Sequence, residues 1–311
     1  MIGVLNINKP KRVTSSQVVC KVKKLLNTGK VGHMGTLDPL ASGVLPICVG
    51  RATRLFDYFL KKQKTYIANF TFGTQTDTLD LEGQVIKTSN NIPTKQQVEE
   101  AIKTFIGTTN QVPPMYSSKK IDGKKAYDLA RNGTQINLKP CPITIYEYKL
   151  LNQVDKDTFE FKITCSAGTY IRALARDLGE QLNSCATMTG LIRTKAGNFS
   201  LDNAINYENL TKETLLSNLI PLNIVLADFE KIAISEQDFQ KLLNGLTINI
   251  NSLKLSNVNN NFNQNLQEDI TARETSTQNQ KYYAVTMQNQ IVGIGYIYNN
   301  ILKIKTYLLD N

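Results

Sequence analysis

The order of strand-like and helix-like segments is the feature that most constrains the fold of this 311-residue chain. Apolar stretches with the length and composition of strands lie at 2–7, 43–48, 65–72, 143–151, 158–165 and 281–298. Helical patterns lie at 15–27, 51–61, 94–106 and 169–182. Ser15 is the expected cap of the first helix. Because the strands are not evenly interleaved with helices, the pattern predicts an α+β fold rather than a doubly wound sheet.

One short run, HMGTLDPLASGVL at 33–45, places a single carboxylate close to the only histidine of the sequence. Pro39 biases Asp38 toward an extended backbone, and Gly35 and Gly43 permit tight turns on either side. Rigid placement of this kind suits an acid, base or nucleophile. The alternative for an isolated Asp-Pro pair is a surface aspartate that caps a turn.

Further blocks accompany this run along the chain. GVLNINKP opens the sequence at 3–10 and is followed by TSS at 14–16. Later blocks are ATRL, KTYIA, GTQTDT, VPPMYSSKK, GKKAY, CSAGTYIR and RDLG, at 52–55, 64–68, 73–78, 112–120, 123–127, 165–172 and 176–179. In this order the blocks resemble tRNA pseudouridine-55 synthases of the bacterial type, the TruB family. The resemblance covers residues 1 to 225, and several ordered blocks are more specific than one motif.

The resemblance implies the domain organisation. Residues 1–225 are expected to form a pseudouridine synthase catalytic domain with a mixed, mostly antiparallel sheet and helices. An insertion at about 108–134, with Lys119, Lys120, Lys124 and Lys125, is expected to grip RNA, the alternative being a solvated loop. Residues 226–311 resemble a small, β-rich PUA-like domain with an Asn-rich loop at about 252–280, which the sequence also allows to be an appendage without RNA contact.

The resemblance also implies the catalytic residues. Asp38 matches the essential aspartate of the family, which acts as a nucleophile or as a base at the ribose. A carboxylate that stays charged where water is excluded needs a cation beside it, and Arg172 matches the arginine that pairs with it. Tyr66 matches the tyrosine that packs on the flipped base. Taken alone, Arg172 could lie on a helix surface and Tyr66 in the core.

Five residues match positions that bind or support the substrate. His33 matches the residue that helps to stabilise the flipped conformation, so we expect a positioning role rather than a catalytic base. Tyr170 and Leu191 match further substrate contacts. After this leucine the family has two arginines, whereas this chain has isoleucine followed by arginine. Lys9 and Lys64 are expected to support either phosphate or the active loop, although each could be a solvated side chain.

Amino-acid composition indicates which cofactors, partners and cellular location to expect. The 36 Lys and Arg exceed the 26 Asp and Glu, and a formal charge of +10 favours a polyanionic partner or merely a solvated basic surface. Five cysteines without a CxxC pair, and one histidine, give no zinc motif, so no metal or other cofactor is expected. The chain shows no signal-peptide pattern and no apolar run near the ~18 residues of a membrane span, so we expect a soluble, cytoplasmic protein.

The expected function is isomerisation of uridine to pseudouridine at position 55 in the tRNA T-loop, by base flipping and an essential aspartate. The resemblance implies a monomer that binds the T-arm stem-loop without an obligate protein partner. Three alternatives stay open: a noncatalytic RNA-binding or tRNA-folding protein on the same fold, a glycosidase that uses a second carboxylate, and a guide-RNA-dependent synthase. The intact set of Asp38, Tyr66 and Arg172 favours the stand-alone enzyme over mere binding.

Overall fold

The structure is a computed structural model, and it describes residues 1–60, 62–117, 120–121, 124–125, 138–253 and 281–309. The strands in these ranges are β1 (Gly3–Lys9), β2 (Val31–His33), β3 (Ser42–Val49), β4 (Lys64–Phe72), β5 (Thr74–Thr76), β6 (Val85–Thr88), β7 (Gly107–Gln111), β8 (Lys120–Ile121), β9 (Lys124–Lys125), β10 (Cys141–Gln153), β11 (Thr158–Cys165), β12 (Ala186–Ala196), β13 (Phe199–Ser200), β14 (Ile205–Asn206), β15 (Lys231–Ala233), β16 (Ile248–Asn249), β17 (Tyr283–Met287), β18 (Gln290–Tyr298) and β19 (Ile301–Tyr307). The α-helices are α1 (Ser15–Leu26), α2 (Phe56–Leu60), α3 (Lys95–Lys103), α4 (Ile171–Gln181), α5 (Lys212–Ser217), α6 (Leu222–Val225) and α7 (Glu236–Leu243). Short 3₁₀ helices span Gly50–Leu55, Leu201–Asn203, Tyr207–Asn209 and Ile250–Ser252.

A mixed sheet organises the N-terminal part of the chain. Its strands lie in the order β14-β1-β3-β12-β4-β11-β10-β7, with β2 paired to β3 and β13 paired to β12. In the described ranges the pairs β1–β14 and β3–β12 are parallel, and the other pairs of this sheet are antiparallel. The predicted α+β class with a mostly antiparallel sheet is therefore confirmed.

The core of this sheet follows from period-2 alternation. In β4 and β11 alternate residues are buried, so each strand presents one apolar face to the helices. Phe70 and Phe161 pack with ring centroids 5.0 Å apart. Helix α4 buries Ile171, Leu174 and other apolar residues in the same cluster. Each such side chain contributes on the order of 1.5–3 kcal/mol by burial, which makes the sheet a rigid base for the loops at its edges.

The central strand β12 is absent from the sequence-based prediction. It lies between β3 and β4, and it pairs parallel with β3 and antiparallel with β4. Its sequence ATMTGLIRTKA mixes threonines, a glycine and two cations among the apolar residues, so it lacks the continuous or strictly alternating apolar pattern that identifies a strand. Leu191 and Arg193 both lie on this strand.

Three local predictions need correction. Thr14, rather than Ser15, is the N-cap of α1, and its side chain accepts from the N–H of Gln17 in a capping box. In the segment predicted as one helix at 51–61, the described residues 51–60 form the end of a 3₁₀ helix followed by the short α2. The segment 281–298 forms two strands, β17 and β18, because Gln288 and Asn289 adopt φ values of 48° and 63° that suit a tight hairpin turn.

The C-terminal sheet has the order β15-β17-β18-β19-β16 and confirms a β-rich C-terminal region of the PUA-like kind. One face packs against α7 through Phe239 and Val285. Residues of the other face, among them Ala284 and Ile294, share a core with Val44 of the N-terminal part. This shared core fixes the C-terminal sheet to the N-terminal sheet, while the division at 225/226 stays a prediction.

Some predictions fall beyond the described ranges. Of the insertion at about 108–134, residues 118–119, 122–123 and 126–134 lie outside them, and of the β8–β9 pair only the backbone is described. Residues 254–280 of the Asn-rich segment also lie outside the described ranges. In the described part of the chain, no helix combines the length and the apolar character needed to cross a membrane.

Candidate active site

Asp38 lies in the loop that joins β2 to β3. The loop begins beside α1, where the Ser15 hydroxyl donates to the Leu37 carbonyl at 3.1 Å and accepts from the Leu37 N–H at 2.9 Å. The N–H of Arg12 donates to the carbonyl of Pro39 at 2.7 Å. Leu37 itself is buried, whereas the Asp38 side chain is 35% exposed. The loop is thus anchored on both sides of a carboxylate that still reaches solvent.

The fully buried Lys9 holds the C-terminal half of this loop. Its ammonium donates to the carbonyls of Pro10 at 2.8 Å and Val13 at 2.7 Å, and it also contacts those of Pro39 and Ala41. Burial lowers the pKa of Lys9 to about 8, with Asp38 opposing this shift and Arg193 adding to it. Two roles were expected for this lysine, support of the loop and binding of phosphate. The contacts fit support of the loop, because the ammonium group already donates to backbone carbonyls and has no donor left for a phosphate.

Arg193, from the central strand, holds the other half of the loop. Its Nε atom donates to the Val44 carbonyl at 2.7 Å, and its Nη atoms donate to the carbonyls of Gly35 and Thr36 at 3.2 and 3.4 Å. Arg193 also lies opposite Tyr66 of the neighbouring strand β4. A planar fork with five donors suits such a set of acceptors, which a lysine could not match.

Arg172 joins Asp38 to a second carboxylate. Its Nε atom lies 3.1 Å from Oδ2 of Asp38, and its Nη1 atom lies 3.1 Å from Oδ2 of Asp80. The same guanidinium donates to the carbonyls of Thr78 at 2.9 Å and Tyr116 at 3.1 Å. Arg172 is therefore buried with its terminal nitrogens occupied by the protein, so its remaining edge is fixed opposite Asp38.

The turn that supplies Asp80 is itself tightly held. Oδ1 of Asp80 accepts from the Thr78 hydroxyl at 2.7 Å and from the N–H of Glu82 at 3.0 Å. Leu79, between the two Arg172 partners, has a φ of 64°, and its carbonyl accepts from the N–H of Met188 at 3.1 Å. A leucine with a left-handed backbone conformation is uncommon and strained. It turns the carbonyl of residue 78 and the carboxylate of residue 80 toward the same nitrogen.

The structure brings the predicted site residues to the same region. Tyr66 is buried beside Arg193, and burial raises its pKa to about 12. Tyr170 is the N-cap of α4, two residues before Arg172. Leu191 is buried on β12, opposite Ala68 of β4.

Lys64 and His33 flank this group. Lys64 is buried at the start of β4 and donates to the carbonyl of Leu60 at 2.6 Å, and burial, helped by Arg193, lowers its pKa to about 8. His33 is half-buried at the end of β2, and its Nδ1 atom is buried without a hydrogen-bond partner among the described residues. Burial and the Arg193 cation lower the pKa of His33.

Asp80 and Arg193 belong to the hydrogen-bonded network around Asp38, and sequence reasoning did not select them as site residues. Both stand within or beside recognised blocks, but neither spacing nor charge distinguishes Asp80 from Asp77 or Arg193 from a strand-surface cation. Their role follows only from contacts across the fold. In the described ranges, no group of three or more His, Cys, Asp or Glu side chains is arranged to hold a metal ion.

Comparison with known proteins assigns the chain to a family. The family model for the N-terminal domain of TruB family pseudouridylate synthases matches residues 23–171. The tRNA pseudouridine synthase B of Clostridium kluyveri is 45% identical over 248 residues, which is 80% of this chain and 86% of that protein. The chain belongs to the TruB family of pseudouridylate synthases. The expectation of an enzyme of this family, an isomerase, is thereby confirmed.

Other relatives extend the match to the full length of the chain. The tRNA pseudouridine synthase B of Clostridium novyi is 38% identical over 309 residues, 99% of this chain and all of that protein. Among solved structures, a chain of an H/ACA ribonucleoprotein bound to a substrate RNA containing 2′-deoxyuridine has a TM-score of 0.70 at 20% identity, covering 99% of this chain and 85% of that chain. A chain of a Cbf5-Nop10-Gar1 complex has a TM-score of 0.69 at 21% identity and covers 99% and 84%. At this identity the structural matches show the shared fold alone.

The contact between Gly43 and Arg193 gives a first prediction. Both Gly43 and Gly107 have a φ of 106°, but a Cβ on Gly43 would overlap the backbone of Arg193, whereas a Cβ on Gly107 meets nothing within 4 Å. Gly107→Ala is therefore expected to lower the free energy of unfolding only by the cost of holding an alanine at this positive φ. Gly43→Ala is expected to lower the free energy of unfolding by about 1–3 kcal/mol more, as overpacking does. Urea denaturation of both variants checks this, and equal losses would contradict the close packing of the loop on β12.

The lone histidine gives a second prediction. Burial first, and the Arg193 cation second, lower the pKa of His33 from its ordinary value of 6.5. The folded state then binds fewer protons than the unfolded state just below pH 6.5, so stability from this group is lost as the pH falls through that window. NMR titration of the single imidazole should show a midpoint below 6.5. A midpoint at or above 6.5 would place Arg193 and the surrounding apolar groups away from His33.

Proposed function

We propose that this protein isomerises uridine to pseudouridine in tRNA, at position 55 of the T-loop, with Asp38 as the essential group. The relatives named as tRNA pseudouridine synthases support tRNA as the substrate. The T-loop target rests on the resemblance of the sequence blocks. The observation that carries the chemical part is the pairing of a partly exposed Asp38 with the fixed Arg172 at 3.1 Å.

The reaction explains why one rigid carboxylate is needed. The bond between C1′ and N1 breaks, the detached uracil turns, and C1′ bonds to C5, which releases its hydrogen as a proton while N1 gains one. The Asp38 carboxylate attacks C1′, attacks C6 of uracil, or removes a sugar proton. Each route requires the carboxylate to keep its place while the base is unattached. The anchored loop supplies this preorganisation, since the hydrogen bonds are formed before the substrate arrives.

Arg172 is proposed to hold the orientation and charge of Asp38. Its Nη atoms are engaged by Asp80 and by the carbonyls of Thr78 and Tyr116, so it cannot rotate away from Asp38 without leaving buried acceptors unpaired. Asp80 accepts from Nη1 of the same guanidinium, on the side away from the Nε atom that meets Asp38. The arrangement leaves the outward-facing oxygen of Asp38 available to a nucleotide.

The remaining predicted residues are proposed to hold an extruded nucleotide. Uridine inside a folded T-loop exposes neither C1′ nor C5 to a carboxylate, so it must leave the stack at a cost of a few kcal/mol. Tyr66 and Leu191 lie on the neighbouring strands β4 and β12, and Tyr170 precedes Arg172 at the start of α4. His33 ends strand β2. Lys64 lies at the start of the strand that carries Tyr66 and supports it through the carbonyl of Leu60.

The glycosidase alternative is disfavoured by the surroundings of the second carboxylate that contacts Arg172. Asp80 is only 6% exposed and accepts from Arg172, Thr78 and Glu82. A general acid must reach the leaving oxygen of the substrate and carry a proton to it. A carboxylate enclosed by donors, with an arginine between it and Asp38, suits a structural role instead.

The proposed function predicts tritium release from an unmodified T-arm stem-loop labelled at C5 of uridine. The wild type should release tritium from the T-loop uridine, and Asp38→Asn should abolish the release because an amide is neither a nucleophile nor a base here. Arg172→Ala should lose turnover by about a hundredfold or more, the range for removal of a group that stabilises reacting charge. Its RNA affinity should change little, because the guanidinium is enclosed by protein.

Asp155→Asn is the matched control, since Asp155 is exposed in the turn between β10 and β11. It should release tritium at the wild-type rate. Mapping the modified nucleotide then distinguishes the T-loop target from other uridines. Tight, salt-sensitive binding of the stem-loop without any release by the wild type would favour the noncatalytic RNA-binding alternative.

A further inference from the structure

The helix that carries Arg172 begins without a cap of its own. Tyr170 is the N-cap of α4, and its side chain makes no capping hydrogen bond. In α1 and α3 a glutamine at the third helical position accepts from the N–H of the N-cap residue. In α4 that position is Ala173, which has no polar side chain.

Gln111, at the end of β7, makes the missing contacts from a distant part of the chain. Its Oε1 atom accepts from the N–H of Tyr170 at 2.9 Å, and its Nε2 atom donates to the Tyr170 carbonyl at 3.1 Å. Because the N–H needs an acceptor and the carbonyl needs a donor, both contacts define a single orientation of the amide. Gln111 is 2% exposed, so no water competes for these two bonds.

The segment that follows Gln111 is held by the same helix. Arg176 donates to the carbonyl of Val112 at 3.0 Å, and Arg172 donates to the carbonyl of Tyr116 at 3.1 Å. The first two turns of α4 and the chain from 111 to 116 thus form one hydrogen-bonded unit. Within this unit Gln111 contacts the backbone two residues before Arg172, at the end of the helix that faces Asp38.

We propose that Gln111 is a positioning residue for the reaction: its amide fixes the start of α4 so that Arg172 meets Asp38 in the productive geometry. This inference rests on the proposed function, because it assigns the Arg172–Asp38 pair a part in turnover. A displacement of about 1 Å in a reacting group can cost a hundredfold in rate. A side chain that sets the backbone beside Arg172 therefore influences turnover without touching the substrate.

The test compares single-turnover tritium release at saturating RNA for the wild type and for Gln111→Met, which keeps the side-chain length and removes both hydrogen bonds. The rate should fall about tenfold to a hundredfold, consistent with a small displacement of Arg172. RNA affinity should change little. Gln181→Met is the matched control, because Gln181 lies at the far end of α4 and hydrogen-bonds only the Thr104 side chain in the described structure. Its rate should equal that of the wild type.

A double-mutant cycle separates positioning from general stabilisation. If Gln111 acts through Arg172, Gln111→Met should reduce the rate much less in an Arg172→Lys background than in the wild type. Losses that multiply, or a wild-type rate for Gln111→Met, would overturn the inference. Assays are run below the melting temperature of every variant. If the Met variant does not fold, Gln111→Glu serves in the same cycle, since it keeps an acceptor for the Tyr170 N–H and loses the donor.

Tritium release distinguishes a wrong function from a wrong role for Gln111. A wild type that releases no tritium from the stem-loop contradicts the proposed function. An active wild type whose Gln111 variants are equally active contradicts only the positioning role.

Discussion

The hydrogen bonds to the backbone carbonyls of Gly35, Ala41 and Val44, around the Asp38 loop, are buried, so each of these carbonyls needs a donor that is not water. Lys9 and Arg193 supply those donors from opposite sides of the loop. Burying two cations is costly unless their donors are satisfied, and here the carbonyls satisfy them. This mutual dependence fixes the loop, and the loop fixes Asp38. The remainder of the site is arranged around a carboxylate whose backbone cannot move freely.

Arg172 holds the side chain of Asp38 in a similar way, because it is itself held by protein acceptors. Its partners come from a hairpin turn after β5 and from the chain after β7, and the helix that carries it starts against Gln111. Elements far apart in sequence therefore converge on one guanidinium.

The sequence predicted those parts of the molecule that rest on local pattern. The apolar strands β1, β3, β4 and β11 and the helix start at Tyr170 are evident from periodicity and punctuation. The central strand β12 was missed because its threonines and cations face neighbours that only the fold supplies. For the same reason Asp80 carried no recognisable signal, and Arg193 stood out only as the single arginine where the family has two. Loop support by Lys9 could not be separated from phosphate binding. These roles depend on contacts between residues that are distant in sequence, and the spacing of residues along the chain does not reveal such contacts.

Hydrogen exchange of the loop amides tests most directly whether buried cations hold Asp38 in place. The N–H of Leu37 donates to Ser15 and that of Ala41 to the Asp38 carbonyl, so both amides report on the closed loop. Lys9→Met should accelerate exchange at Leu37 and Ala41 and leave the amides of β11 unchanged. Lys64→Met, which removes another buried lysine that contacts no loop carbonyl, should leave both loop amides protected. Unchanged protection in Lys9→Met would contradict the account.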